Sequence, residues 1–350
     1  MKFVLFDTIL ERHLCESLKR ALENEGHEVI YTDLIVHGHS MISEKRDIEK
    51  VWAQIHHIAS YSPDVLVSFR PMNLTPEMLE YLKSRMLLCI WLSDDPVLYK
   101  LSYGQVVDYY DIILHCGSEK VLEFYEAKGH EPGFNFPFWT DNVAFPKVFD
   151  PINASTDVVF LGNMHGQVRH KRYLELGQLD CRKAVYGLVD ADPLAQNGGF
   201  ISDGYINTTK VTEVLRTAKV GLSIPQFFKD YKGLENDFEG LAELGYFQFP
   251  SRVIQYIASG LPVLAVGDEL MKEACPSLIV ENSVVNLIPH LEKLLGDNDF
   301  IYEVAKNTYL DFQHYFSASV RAKMLIDLVE NLGERKQLSC KRRALLFKEY

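Results

Sequence analysis

Cysteine is sparse in this chain: Cys15, Cys89, Cys116, Cys181, Cys275 and Cys340 are scattered over 350 residues, and no two form a CxxC pair. That argues against a disulfide framework and against a zinc cluster. The apolar runs around several of them read as buried thiols in a reducing compartment. The twelve histidines contain no HExxH spacing, so the zinc-hydrolase signature is missing, and His56-His57 falls within a helical pattern that reads as structural. There is no GxSxG elbow, and no Ser-His-Asp or Cys-His nucleophile arrangement is legible. No apolar run approaches the length of a transmembrane helix. The opening MKFVLF leads straight into a strand without a signal-peptide layout, so a cytoplasmic location is expected. An excess of basic charge is also lacking. With a net charge of -12, general nucleic-acid binding is a poor first reading, although a local basic face is compatible with it.

What the chain does have is alternation. Hydrophobic residues make up 47% of it, enough at this length for two domains with their own cores. Strand patterns over 2–6, 27–31, 64–69, 87–92 and 110–115 alternate with helical patterns over 14–24, 48–59, from Pro76 onward and over 118–128. This is the mark of α/β architecture with a parallel, doubly wound sheet. Residues 131–156 break the rhythm with Pro132, Gly133, Pro137, Pro146 and Pro151 and read as a linker. A second alternation starts at Asp157 and closes with a helix over 318–332. The expected layout is one Rossmann-like domain over 1–150, a second over 151–332, and a basic tail over 333–350. That tail places Arg335, Lys336, Lys341, Arg342, Arg343 and Lys348 around Leu345-Leu346-Phe347. It fits a basic amphipathic segment for weak contact with an anionic membrane or polyanion, or a terminal helix packed on the body; the second is favoured.

Three places carry candidate chemistry. In the stretch from Phe247 to Val266, Pro250 and Ser251 mark a helix start with Ser251 as N-cap, Gly260 marks its stop, and Leu261 to Val266 is a buried strand. Arg252 and Gln255 share a face near that helix start, with Gln248 just before it, which describes an anion site. The second domain opens with a strand ending in Phe160-Leu161-Gly162-Asn163-Met164-His165-Gly166-Gln167-Val168-Arg169. Glycines there let backbone N–H groups approach a phosphate, and Arg169 adds charge. The spacing is neither GxGxxG nor a P-loop, so dehydrogenase and P-loop readings lose support. Tyr205-Ile206, after Gly204, suits packing on a nucleotide base or an ordinary apolar loop. In the first domain, Asp94-Asp95 follows the strand 87–92 and suits a general base for an acceptor hydroxyl. Helix capping, a surface charge pair and Mg2+ binding are the competing readings, the last being a poor site without a third ligand. Arg70 ends another strand and suits either an anionic acceptor group or a surface salt bridge.

Taken in order, these pieces resemble the GT-B glycosyltransferases of the spore-maturation CgeB/YkvP type, allied to the family 4 glycosyltransferases. The resemblance runs over about residues 1–332. It rests on Gly26-His27-Glu28-Val29, on Ser62-Pro63-Asp64 through Asp94-Asp95, on Tyr110-Asp111-Ile112, on Phe160-Leu161-Gly162 through Arg169, on Pro250-Ser251-Arg252-Val253 through Ala258-Ser259-Gly260-Leu261-Pro262, and on the Arg321 helix. It implies two facing Rossmann-like domains, no cofactor or metal, and a nucleotide-sugar donor, UDP-sugar favoured. The acceptor would be a hydroxyl on a glycan, protein, small molecule or modified nucleic acid. By resemblance, Gly162, Arg169 and Arg252 would lie at the donor diphosphate and Gln255 at the ribose; Asn163, His165, Tyr205, Ile206, Gln248 and Ser251 complete the expected donor-binding set. Gln255 stands where the family normally has a ribose-binding Glu, and Phe247 where a second Glu would touch the sugar. These departures motivate a second reading, a non-catalytic homologue that binds or assembles; a nucleotide-sugar epimerase is a third. A likeness to phage DNA glucosyltransferases makes Asp94 the favoured base, with Asp95 second.

Overall fold

The structure is a computed structural model. It describes residues 1–7, 12–33, 48–69, 74–93, 95–96, 98–100, 103–162, 181–187, 200–202, 206, 208–224 and 250–350. The chain divides into two compact units, Met1–Trp139 with Ala318–Tyr350, and Thr140–Ser317.

The first unit alternates β1 (Lys2–Asp7), α1 (Arg12–Asn24), β2 (Glu28–Asp33), α2 (Ile48–Ser60), β3 (Val65–Phe69), α3 (Pro76–Lys83), β4 (Leu87–Leu92), β5 (Ile112–His115), α4 (Glu119–Ala127) and β6 (Phe134–Asn135). All neighbours in its sheet, ordered β2-β1-β3-β4-β5-β6, are parallel. The unbroken apolar runs explain this, because a parallel sheet is covered on both faces: in β3 every residue is buried, and in β4 all but Leu87 are. Helix α3 starts where Thr75 caps Met78 N and Pro76 takes the first position, where its missing N–H costs nothing.

In the second unit come β7 (Thr156–Leu161), β8 (Lys183–Tyr186), β9 (Phe200–Ser202), α5 (Thr208–Arg216), β10 (Ala218–Ser223), α6 (Ser251–Ala258), β11 (Val263–Val266), α7 (Glu269–Ala274), β12 (Ile279–Glu281), α8 (Val284–Gly296) and α9 (Asn298–Asp311). The sheet order is β12-β11-β10-β7-β8-β9, again parallel throughout. Renumbered within the unit this is 3-2-1-4-5-6, whose switch point lies between β7 and β10. Its core joins Val158, Phe160, Val220, Leu222, Leu264 and Val266 of the sheet to Leu287, Leu291 and Ile301 of α8 and α9.

Two expectations about layout are corrected. The boundary falls after Trp139, not after residue 150, because the proline-bearing segment hides a strand-like alternation. Phe134, Phe136, Phe138 and Trp139 are buried in the first unit, where Trp139 and Phe138 pack on Trp91 with ring centroids 5.3 and 5.0 Å apart. The closing helix α10 (Ala318–Glu330) belongs to the first unit as well, packing on α1. Its Arg321 is fully buried, donates from Nε to Pro137 O at 3.1 Å and has Cζ 5.4 and 5.2 Å from the centroids of the Phe136 and Phe347 rings.

The tail folds onto the same unit as α11 (Leu332–Arg335), α12 (Cys340–Leu345) and a final turn. Leu346 and Phe347 are buried, Arg343 pairs with Glu131 under the Phe134 ring, and Asn135 Nδ2 donates to Ala344 O at 2.9 Å. Arg335 pairs with Asp327 at 2.7 Å. Two of the apolar side chains a membrane-binding face would present, Leu346 and Phe347, are thus turned inward, and the packed-helix reading holds. Among the described residues, no helix is long and apolar enough to cross a membrane.

Candidate functional site

Strand β7 delivers the chain to the switch point and is followed directly by Gly162. Its φ of +137° is one that side-chain-bearing residues rarely adopt, and its N–H donates to Tyr186 O at 2.7 Å. A Cβ at this position would stand 2.8 Å from Arg252 Nη2 and 3.1 Å from Arg252 Cζ. The absence of a side chain at 162 is therefore what lets the guanidinium lie against the backbone.

Arg252 comes from the first turn of α6. The expected N-cap is displaced by one residue. Pro250 occupies the cap position with extended backbone and no side-chain bond, and Ser251 is the first helical residue. Proline fits because its fixed φ suits the turn into the helix and the cap residue's N–H is not needed by the helix. The expected stop is found: Gly260 has φ +83°, its N–H donates to Ile257 O, and Leu261 N donates to Tyr256 O. That pair of bonds is a Schellman motif.

The Arg252 side chain is half-buried, with Cζ 4.7 Å from the centroid of the Phe160 ring. Its Nη1 is buried and has no hydrogen-bond partner among the described residues. A guanidinium stays charged and each of its N–H groups wants an acceptor, so a buried unused donor calls for an explanation. Here it sits at a helix start, beside the carboxyl end of β7, at the switch point where ligands of open α/β sheets bind. The chemistry this favours is anion binding.

One turn further along α6 stands a residue that sequence reasoning did not single out. Tyr256 is fully buried. Its hydroxyl accepts from Leu161 N at 2.7 Å and donates to Leu222 O at 3.3 Å. Burial raises its phenol above the ordinary range, which keeps it a donor. The ring lies over Gly221 of β10, where a Cβ would be 2.5 Å from Tyr256 Cδ2. The legible signal was Gly221 itself, since a glycine inside a strand often marks a close approach.

The structure thus brings Gly162 and Arg252 together. Gln255, three residues on along α6, and Ser251 are half-buried, as is Ile206. Asn163, His165, Arg169, Tyr205 and Gln248 lie outside the described residues, and so do Arg70 and Asp94.

In the first unit, Asp95 is fully buried. Tyr125 donates to its Oδ1 at 2.6 Å, and His115 Nδ1 lies 2.6 Å from its Oδ2. Burial, then the Asp95 charge, push the Tyr125 phenol well above its ordinary value. The preceding Ser93 is pinned too, its carbonyl accepting from Tyr103 OH at 3.0 Å. A carboxyl group with both oxygens engaged and no exposure anchors the turn after β4. The geometry gives Asp95 the part of a structural acceptor.

No protein-family model matches the sequence, and no curated protein matches it. Solved structures do. A glycosyltransferase from Rickettsia africae aligns with TM-score 0.62 at 11% identity, covering 95% of this chain and 99% of that one. Sucrose-phosphate synthase from Thermosynechococcus elongatus aligns at 0.61 and 14%, with the same coverage. A glycosyltransferase of avilamycin A biosynthesis aligns at 0.60 and 12%, covering 95% and 98%. These likenesses establish the fold as GT-B, with two Rossmann-like domains built on parallel sheets.

Proposed function

We propose that this chain is a glycosyltransferase that moves a sugar from a nucleotide-sugar donor to a hydroxyl acceptor. The observation that carries the reading is Arg252: a guanidinium with an unused buried donor, fitted against Gly162 at the switch point of the second sheet. The names of the similar structures, two glycosyltransferases and a sucrose-phosphate synthase, support sugar transfer as the class of reaction.

In this mechanism the donor diphosphate lies at the start of α6. Negative charge grows on its leaving oxygen as the glycosidic bond breaks, and Arg252, with Arg169, meets that charge in place of a metal ion. Gln255 orients the ribose through an amide that both accepts and donates. Asp94 takes the proton of the attacking hydroxyl. UDP is the favoured nucleotide.

The test is a thermal-shift screen of the whole chain against UDP-, GDP-, dTDP- and CMP-sugars, with Mg2+ and with a chelator. A ligand that binds only the folded state raises its apparent stability. One nucleotide is expected to shift the melting point equally under both conditions. Arg252→Ala is expected to weaken that binding by about 2–4 kcal/mol, roughly 30- to 1000-fold, while leaving the fold intact. A normal shift in the variant rejects the diphosphate placement. Binding without transfer or hydrolysis across an acceptor panel supports the non-catalytic reading, which Gln255 and Phe247 motivate.

A further inference from the structure

We infer that Tyr256 is a positioning residue for the anion cradle made by Arg252 and Gly162, acting through its buried hydroxyl. The parallel ladder between β7 and β10 pairs Thr156 with Ala218, Val158 with Val220 and Val159 with Gly221. Beyond that point the Tyr256 hydroxyl stands between the two strands. It takes the Leu161 N–H of one and the Leu222 C=O of the other. The hydroxyl therefore replaces a ladder bond at the place where the strands part, one residue before Gly162.

Three features make this a device for the site as well as a piece of core. Tyr256 lies four residues after Arg252, so both side chains leave the same face of α6. The phenol fixes how far α6 stands from the ends of β7 and β10, and with it the height of the guanidinium over Phe160, 4.7 Å from its centroid. Gly221 makes room for the ring, since any Cβ there would collide with it. The backbone N–H of Leu161 is also held just where the chain turns into the positive-φ geometry of Gly162.

The anion-binding half of this inference rests on the reading in the preceding subsection, and the experiment separates the two. Tyr256→Phe keeps the ring and removes only the bridge. Thr308→Val is the control. Its hydroxyl also makes a buried bond to backbone in the same unit, donating to Leu261 O at 3.2 Å past the far end of α6. Two readouts are taken on the full chain: the rate of phenylglyoxal modification at Arg252, read by peptide mass spectrometry with exposed Arg12 as internal reference, and the dissociation constants for inorganic diphosphate and for UDP.

In Tyr256→Phe, Arg252 is expected to label several-fold faster, and affinity to fall roughly tenfold. Thr308→Val is expected to change neither. If Tyr256→Phe leaves the Arg252 labelling rate at the wild-type value, the inference is overturned. The same holds if Thr308→Val speeds labelling equally, because the effect is then only that of lost stability. If the wild-type chain binds neither diphosphate nor UDP yet Tyr256→Phe still exposes Arg252, the positioning role stands and the donor reading falls.

Discussion

At the carboxyl end of the first sheet the polar groups are turned on one another. Asp95 holds Tyr125 and His115, Tyr103 holds Ser93, and Asp95, His115, Tyr125 and Ser93 are all fully buried. At the carboxyl end of the second sheet, a buried donor on a permanent cation is left without a protein acceptor. His115 Nε2 also lacks a partner, while its Nδ1 lies against Asp95 Oδ2 at 2.6 Å. Both sheets end in buried polar chemistry and both leave orphaned atoms, Ser68 Oγ, Asn135 Oδ1 and His115 Nε2 in the first. The difference lies in whether the fold uses up the acid–base or cationic group itself, Asp95 or Arg252. Where it does, the residues hold the fold together; where it does not, they are available to a ligand.

The largest effect follows from breaking the closed network. Asp95→Ala leaves the Tyr125 hydroxyl and His115 Nδ1 buried without an acceptor. The expected loss is about 3–5 kcal/mol, read by chemical denaturation of the full chain. Arg252→Ala removes mainly a half-buried contact with Phe160 and is expected to cost under about 1 kcal/mol. An Asp95→Ala protein of normal stability that has lost only turnover would reverse the comparison and place Asp95 at the reaction.

The second effect sharpens the open end. In Gly162→Ala the new Cβ meets the guanidinium at 2.8 Å in a backbone conformation that alanine avoids. Strain of about 1–3 kcal/mol and displacement of Arg252 are expected together, with donor affinity down roughly tenfold. Unchanged affinity, measured by titration calorimetry, would mean that the guanidinium is not held by this approach.

How much of this was legible depended on whether the signal was local. Strand β4 and the Gly260 stop are legible because each is set by neighbours in sequence: an unbroken apolar run and a glycine one residue past the helix cap. The juxtaposition of Gly162 with Arg252 is also legible, since one follows a strand end and the other opens a helix in the same domain. What was not legible depends on distant partners. Asp95 looked like the twin of Asp94 until the fold brought His115 and Tyr125 to it from 20 and 30 residues away. The transfer of α10 to the first unit and the burial of Phe134 to Trp139 are likewise tertiary facts; prolines at 132 and 137 suggested a linker where alternating aromatics built core. The part Tyr256 plays is not legible locally, because it lies in two backbone groups on other strands.

The smallest effect contrasts the two ends of β7 itself. At its amino end the charges are matched. Asp157 accepts from Arg182 at 3.0 Å and pairs with Lys219 at 2.9 Å. Burial pushes the Asp157 carboxyl up, but those two cations outweigh it and hold the group at about 2. A carboxyl group held below its unfolded value stabilises the fold above that unfolded value, near 4, and the contribution fades as pH falls toward 2. With Arg182 largely exposed and screened by solvent, the contribution is on the order of 1–2 kcal/mol at neutral pH. Asp157→Asn is therefore expected to be less stable than wild type by that amount at pH 7. The two unfolding free energies should converge as pH falls from 4 to 2, while donor affinity at neutral pH stays the same. A stability gap that persists at pH 2 would point to packing at Asp157 in place of charge. A change in donor affinity would mean that the matched amino end and the unmatched carboxyl end of β7 are coupled along the strand, and that the division between holding the fold and binding a ligand is less sharp than the geometry draws it.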